Sequence, residues 1–273
     1  MRIALGLEYD GAPFTGWQTQ SDGRAVQDCV ERALLQIADG PIATVCAGRT
    51  DSGVHALDQV IHFDTEADRP LNAWVRGANR FLPTSVAVRW ARVVGDQFHA
   101  RYGARRRRYD YWIVNTPVRT PLAHARAGWV FRPLDEVAMQ RAAQHLVGRH
   151  DFTSFRSAEC QAATAVREIE SLHVERAQSL VRISVTANAF LHHMVRNIVG
   201  SLVYAGVGRR PTDWIADVLN ARSRAAAAPT FAAAGLYLAR VEYDHAFGLP
   251  APTGQVSWTD AYTNQDLRTD ARS

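Results

Sequence analysis

The sequence predicts an α+β protein. It reads as two ferredoxin/RRM-like βαββαβ halves joined in one mixed, largely antiparallel sheet, with helices on one face and the active-site cleft between the halves. Three observations carry this reading. Short apolar runs alternate at period two, others recur at helical spacing, and the order of the two kinds repeats along the chain.

In the first half, Ile3 to Asp10 reads as a strand stopped by Asp10-Gly11. Val26, Cys29, Val30, Ala33, Leu34 and Ile37 then share a helical face, and Gly40-Pro41 ends that helix. Ile42 to Ala47 and Gln59 to Asp64 read as two strands joined by a polar loop. Leu71, Trp74, Val75, Ala78 and Phe81 form a second helical stripe, closed before Pro83. Val86 to Val94 is a further strand, with Val86, Val88 and Trp90 on one face.

The second half repeats the order. Arg107 to Val114 reads as a strand, and Leu134, Val137, Ala138, Ala142 and Leu146 mark a helix. Arg167 to Glu175 and Leu180 to Thr186 form a strand pair. Val195, Ile198, Val199, Leu202 and Val203 mark a helix ending at Gly206, and Thr212 to Ala221 adds a short one. Leu236 to Tyr243 is the last strand. The halves are placed at 1–103 and 104–248, and the Pro-, Thr- and Asp-rich tail 249–273 is expected to be mobile.

Composition excludes several classes. The chain is 47% hydrophobic and 21% charged, the balance of a folded globular protein rather than a disordered one. Cys29, Cys46 and Cys160 sit at no metal or redox spacing, so they read as reduced thiols. No Lys is present, which removes Walker-type phosphate loops and Schiff-base enzymes. His192, His193 and Arg196 interrupt the most apolar stretch, which argues against a membrane span and for a cytoplasmic protein. Arg89, Arg92, Arg101, Arg105, Arg106, Arg107 and Arg108 crowd a stretch whose one acid is Asp96. Such a cluster suits a polyphosphate backbone; a solvated charged face is the plainer reading.

The stretch richest in chemistry is Ala47-Gly48-Arg49-Thr50-Asp51-Ser52-Gly53-Val54-His55. It lies between two apolar strands, where a plain hairpin needs fewer residues. Its two glycines let the backbone turn sharply and a ligand approach closely. Arg49 stands two residues before Asp51, close enough for a contact that would hold the acid ionised. Taken alone, a loop Asp is more often a turn residue.

Longer motifs extend this. Leu7-Glu8-Tyr9-Asp10-Gly11 leads into Phe14-Thr15-Gly16-Trp17-Gln18. Asp96 to Tyr111 carries Phe98-His99-Ala100-Arg101 and an Arg-Tyr-Asp-Tyr pattern. Asp151 to Arg156, Asn188 to Asn197 and Gly235 to Leu238 complete the set. Together with Gly48 to His55, these blocks resemble the bacterial tRNA pseudouridine synthase A family, the tRNA pseudouridine 38–40 synthases, in order over nearly the whole chain. Two positions depart from the family pattern. Ser52 stands where Ala is usual, and Thr19 where a basic residue is common.

The resemblance implies an isomerase that turns uridine into pseudouridine in the tRNA anticodon stem-loop. It assigns Asp51 as the catalytic carboxylate, either adding to C1′ of the ribose or taking the C2′ proton. Tyr109 matches the active-site tyrosine, expected to stack on the uracil; without the resemblance it reads as a core strand aromatic. Arg196 matches the arginine that pairs with the catalytic acid, and Arg49 is expected to act as the base is flipped out. His192, His193, Arg196 and Gly200 share a helix side that either lines a cleft or faces solvent. Arg24, Arg105, Arg106, Arg107, Arg108, His192 and His193 are the expected RNA contacts. The implied partners are tRNA and a second copy of the chain, with no membrane, metal or cofactor. Two other readings remain: a non-catalytic RNA-binding protein, and a carboxylate-based nucleosidase.

Overall fold

The computed structural model describes residues 1–251 and 256–259, so most of the tail expected to be mobile lies outside the described residues. Among the described residues it is a mixed α+β chain of ten strands and five α-helices, and no helix is long and apolar enough to cross a membrane. Its contacts divide it into two units. The first holds Met1–Asp110, Thr186–Ala189 and the closing strand; the second holds Tyr111–Val185 and Phe190–Gly235.

The first unit opens with β1 (Arg2–Tyr9), followed by α1 (Val26–Ala38), β2 (Val45–Cys46) and β3 (His55–Asp64). A helical segment and β4 (Val86–Val94) complete the predicted order. β1 pairs antiparallel with both β3 and β4, and β2 adds to the free side of β3. β10 (Leu236–Glu242) runs parallel to β3, with Tyr237 opposite His55. The core lies on the face bearing Ile3, Leu5, Leu7, Ile61 and Phe63, all essentially buried, where Phe63 rests on Trp74 at 5.2 Å between ring centres.

Two local expectations fail here for identifiable reasons. The stripe from Leu71 to Phe81 is not one regular helix: a π-turn at Ala73–Gly77 precedes α2 (Ala78–Phe81). That extra residue per turn shifts the phase, so Trp74 and Ala78 are buried while Leu71 and Phe81 reach solvent. Trp90 does not share a face with Val88. Trp90 pairs with Gly6 and Val88 with Leu7, so the bulge at Arg89 turns the indole to the opposite side. There it lies against Gly6, where any Cβ would collide with the ring.

The second unit uses the end of β5 (Arg106–Asn115), β6 (Gly128–Val130), β7 (Gly148–Asp151), β8 (Val166–Ala177) and most of β9 (Leu180–Ala187). β6 and β7 were not anticipated, because three or four residues leave too short a run for a periodicity signal. α3 (Glu136–Gln144) starts on Asp135, whose carboxylate accepts the Ala138 N–H at 2.8 Å. Its buried face is Met139, Ala142 and Ala143, and Val137 of the expected stripe faces solvent. α4 (Met194–Gly206) is buried along most of its length, and α5 is Trp214–Ala221. Gly206 lets α3 approach, since a Cβ there would meet the Met139 side chain.

Candidate active site

The loop between β2 and β3 is built by side chains that reach it from the sheet. The Ala47 N–H bonds the Val60 carbonyl at 2.8 Å, continuing the β2–β3 ladder one residue further. Gln59 is fully buried, and its amide donates to the Gly48 carbonyl at 2.6 Å. The Tyr9 hydroxyl sits 2.8 Å from the Thr50 hydroxyl, and the Trp17 N–H bonds the Thr50 carbonyl at 3.0 Å. Beyond Asp51, the Val54 N–H closes back on the Asp51 carbonyl at 3.1 Å, with Gly53 at φ 76° making the turn. Gly16, at φ 106°, lies against the Thr50 and Asp51 backbone, where a Cβ would come within 2.8 Å of the Thr50 oxygen. Asp51 therefore stands on a backbone fixed on both sides.

Arg107 completes the support. It is a 9% exposed arginine on β5. Its guanidinium donates to the Ala47 carbonyl from two nitrogens, at 2.9 and 3.3 Å. It also donates to the carbonyls of Arg101 at 2.6 Å, Asn188 at 3.0 Å and Ala104 at 3.3 Å. Every partner is a backbone oxygen, so the charge is solvated by dipoles rather than neutralised by an acid. Burial lowers its pKa from the usual arginine value.

Tyr109, two residues on, is buried beside this charge. Burial pushes its phenol well above the ordinary tyrosine range; Arg107 pulls it down and the Asp51 carboxylate pushes it up. Both charged groups thus act on this one hydroxyl, which lies 3.6 Å from the place a Cβ on Gly48 would occupy. The phenol is neutral at physiological pH.

The other expected residues divide clearly. Arg49 is exposed, and its guanidinium makes no hydrogen bond or ion pair among the described residues, so the Arg49–Asp51 contact that the spacing allows is not made. Arg24 is exposed and bonds Asp22 at 3.1 Å. The Arg105–Arg108 run does not form one open patch. Arg105 pairs with Asp244, Arg106 with Glu242 at 3.5 Å and Arg108 with Asp110 at 3.3 Å. Arg107 is turned inward, which corrects its reading as a phosphate contact.

His192, His193 and Arg196 belong to the second unit. The two imidazoles lie 3.9 Å apart at the start of α4, where His193 takes the left-handed conformation at φ 61°. The Arg196 side chain bonds the Phe231 carbonyl at 2.9 Å, and the Phe231 N–H returns to the Arg196 carbonyl. Gly200 does not line an open face: the Pro229 carbonyl lies 2.3 Å from where its Cβ would be. The bracing roles of Gln59 and Tyr9 are not legible in the sequence, because nothing in a strand pattern marks a residue that supports a distant loop.

An α+β frame holds one loop carboxylate within electrostatic reach of one buried, neutral phenol, an arrangement that a pseudouridine synthase type of enzyme can use. Comparison with known proteins makes this specific. The model of the tRNA pseudouridine synthase family matches residues 7–103 and 142–244, and the chain belongs to that family. A tRNA pseudouridine synthase A of Paraburkholderia xenovorans is 53% identical over 265 residues, covering 97% of this chain and 98% of that one. Those of Paraburkholderia phytofirmans and Burkholderia cenocepacia are 54% and 53% identical over 265 and 270 residues. They cover 97% and 98% of this chain, and 98% and 100% of their own length.

Proposed function

We propose that this chain isomerises uridines at positions 38–40 of the tRNA anticodon stem-loop to pseudouridine, with Asp51 acting at the ribose. The observation that carries this is the braced loop: Gln59, Tyr9, Trp17 and Arg107 hold the backbone around Asp51, and Tyr109 feels its charge. The reaction breaks N1–C1′, forms C5–C1′, and moves one proton from C5 to N1. It needs no oxidant, water or cofactor, and a fixed carboxylate next to an apolar phenol ring suits a cationic ribose centre that water must not reach.

Because Tyr109 is neutral, its work is to stack on the uracil and offer a neutral hydroxyl, not to serve as a preformed phenolate. Arg49, exposed and uncommitted beside Asp51, meets the RNA as the base leaves the stem. The enzyme works in the cytoplasm, where its tRNA substrate is, and as a homodimer without a metal; Arg196 serves the reaction by its motif. The test is tritium release from tRNA carrying 5-tritiated uridine. Asp51→Asn is expected to bind tRNA and release no tritium above background. Equal release by the variant refutes the assignment, and turnover of free uridine would favour a nucleosidase instead.

A further inference from the structure

Between β4 and β5 the chain makes a tight turn, His99 to Gly103, closed by the Gly103 N–H on the His99 carbonyl at 2.8 Å. At its tip stands Tyr102, 78% exposed. The ring is not loose. It stacks on the His99 imidazole, with centroids 4.4 Å apart and planes 30° apart. His99 is itself fixed, because its Nδ1 accepts the N–H groups of Arg101 at 3.2 Å and Tyr102 at 3.1 Å. Behind it lies the buried His62, 4.9 Å away, whose Nδ1 accepts the Ala100 N–H. A column of rings thus runs from the core to the surface, and its outer face is open.

The charge beside that face is open too. The Arg101 guanidinium lies 5.6 Å from the Tyr102 ring centre. Unlike Arg105, Arg106 and Arg108, it is committed to no acid among the described residues. The turn is also tied to the catalytic loop: the same Arg107 guanidinium that holds the Ala47 carbonyl holds the Arg101 carbonyl. A rigid, solvent-facing aromatic with a free guanidinium at its edge is the chemistry that receives a flat base next to a phosphate.

We propose that Tyr102 is a stacking platform for an unpaired nucleobase of the tRNA, with Arg101 taking an adjacent phosphate. This rests on the reading of the chain as a tRNA-modifying enzyme. Rigidity matters to the argument. A ring already held by His99 gives up little rotamer freedom on binding, so its stacking appears as affinity. Stacking also releases no counterion, so the two residues contribute in separable ways: the tyrosine to affinity at any salt concentration, the arginine to the salt slope.

The experiment measures the tRNA dissociation constant of the full chain against salt concentration, with tritium release read on the same samples. Tyr102→Ala is expected to weaken binding by about ten-fold, with an unchanged salt slope and a rise in KM for tRNA that exceeds any fall in kcat. Tyr102→Trp is expected to restore affinity, and Arg101→Gln to lower the slope by about one. Wild-type affinity in Tyr102→Ala would overturn the proposal. So would a loss of affinity accompanied by a change in sedimenting mass, which would make Tyr102 a contact between copies of the chain. Affinity decides the platform and tritium release in the wild type decides the function, so failure of one is distinguishable from failure of the other.

Discussion

The Arg107 guanidinium grips the Ala47 carbonyl with two nitrogens, and Ala47 is the last residue before the loop that carries Asp51. A strand residue 56 positions further along the chain than Asp51 thereby sets where the carboxylate stands. It also leaves an unneutralised positive charge beside Tyr109. The first prediction concerns this link. Arg107→Lys keeps the charge and loses the planar fork of donors. It is expected to fold and to bind tRNA nearly as the wild type does, while kcat falls roughly ten- to hundred-fold. Arg107→Met leaves several buried carbonyls without donors and is expected to lower the melting temperature outright. A lysine variant with normal kcat, or one whose only defect is tRNA affinity, would remove the positioning role.

Tyr109 gives the second prediction. Tyr109→Phe retains the ring and removes the hydroxyl, so tRNA affinity should hold while the single-turnover rate falls by about 10²-fold. Because burial holds the phenol neutral, the wild-type rate is expected to stay flat from pH 7 to about pH 9. A rate that climbs ten-fold per pH unit over that range would mean that the phenolate is the active form.

The basic run gives the third. Neutralising Arg105 leaves Asp244 without its arginine, whereas neutralising Arg106 leaves Glu242 its nearer partner, Arg240 at 3.2 Å. Exposed pairs of this kind contribute little to stability, so each arginine can exchange an acid for a phosphate at small cost. Each change, like Arg49→Gln, is expected to lower the salt slope of tRNA binding by at most about one. Arg107→Gln removes a charge as those two changes do, yet should leave the slope unchanged, since that group is turned inward. Equal slope changes at 105, 106 and 107 would contradict the inward placement of Arg107.

The contrast among these arginines shows what the sequence made legible. Strands and helices with long regular periods were readable, as at α1, β9 and α4. The Asp51 loop was readable because it is longer than a plain hairpin needs and gathers three ionisable groups, Arg49, Asp51 and His55. The pairing of the arginines was not, because Asp244 and Glu242 reach them from β10 and the turn after it, more than 130 positions away. Nor did composition separate Arg107 from Arg108. Strand alternation places them on opposite faces, and only the fold decides which face is interior. The π-turn and the Arg89 bulge escaped for a related reason: each inserts one residue into a repeat and changes the face of residues beyond it, as at Phe81 and Trp90.

The last prediction is a pH dependence of stability centred on Asp58. This carboxyl is buried on β3, and its one described hydrogen bond is from the Val241 N–H at 2.9 Å. Burial raises its pKa to about 6, against the lowering effect of that N–H and of Arg240. A carboxyl whose folded pKa exceeds its unfolded value binds its proton more tightly in the fold. Its stabilising effect is therefore complete below about pH 4 and is lost as pH rises through 6. Asp58→Asn keeps an oxygen for the Val241 N–H and removes the charge. The variant is expected to be about 3 kcal/mol more stable than the wild type at pH 8, and close to it near pH 4. Urea unfolding at the two pH values measures this. A difference of the same size at both would show that the buried charge is not its source.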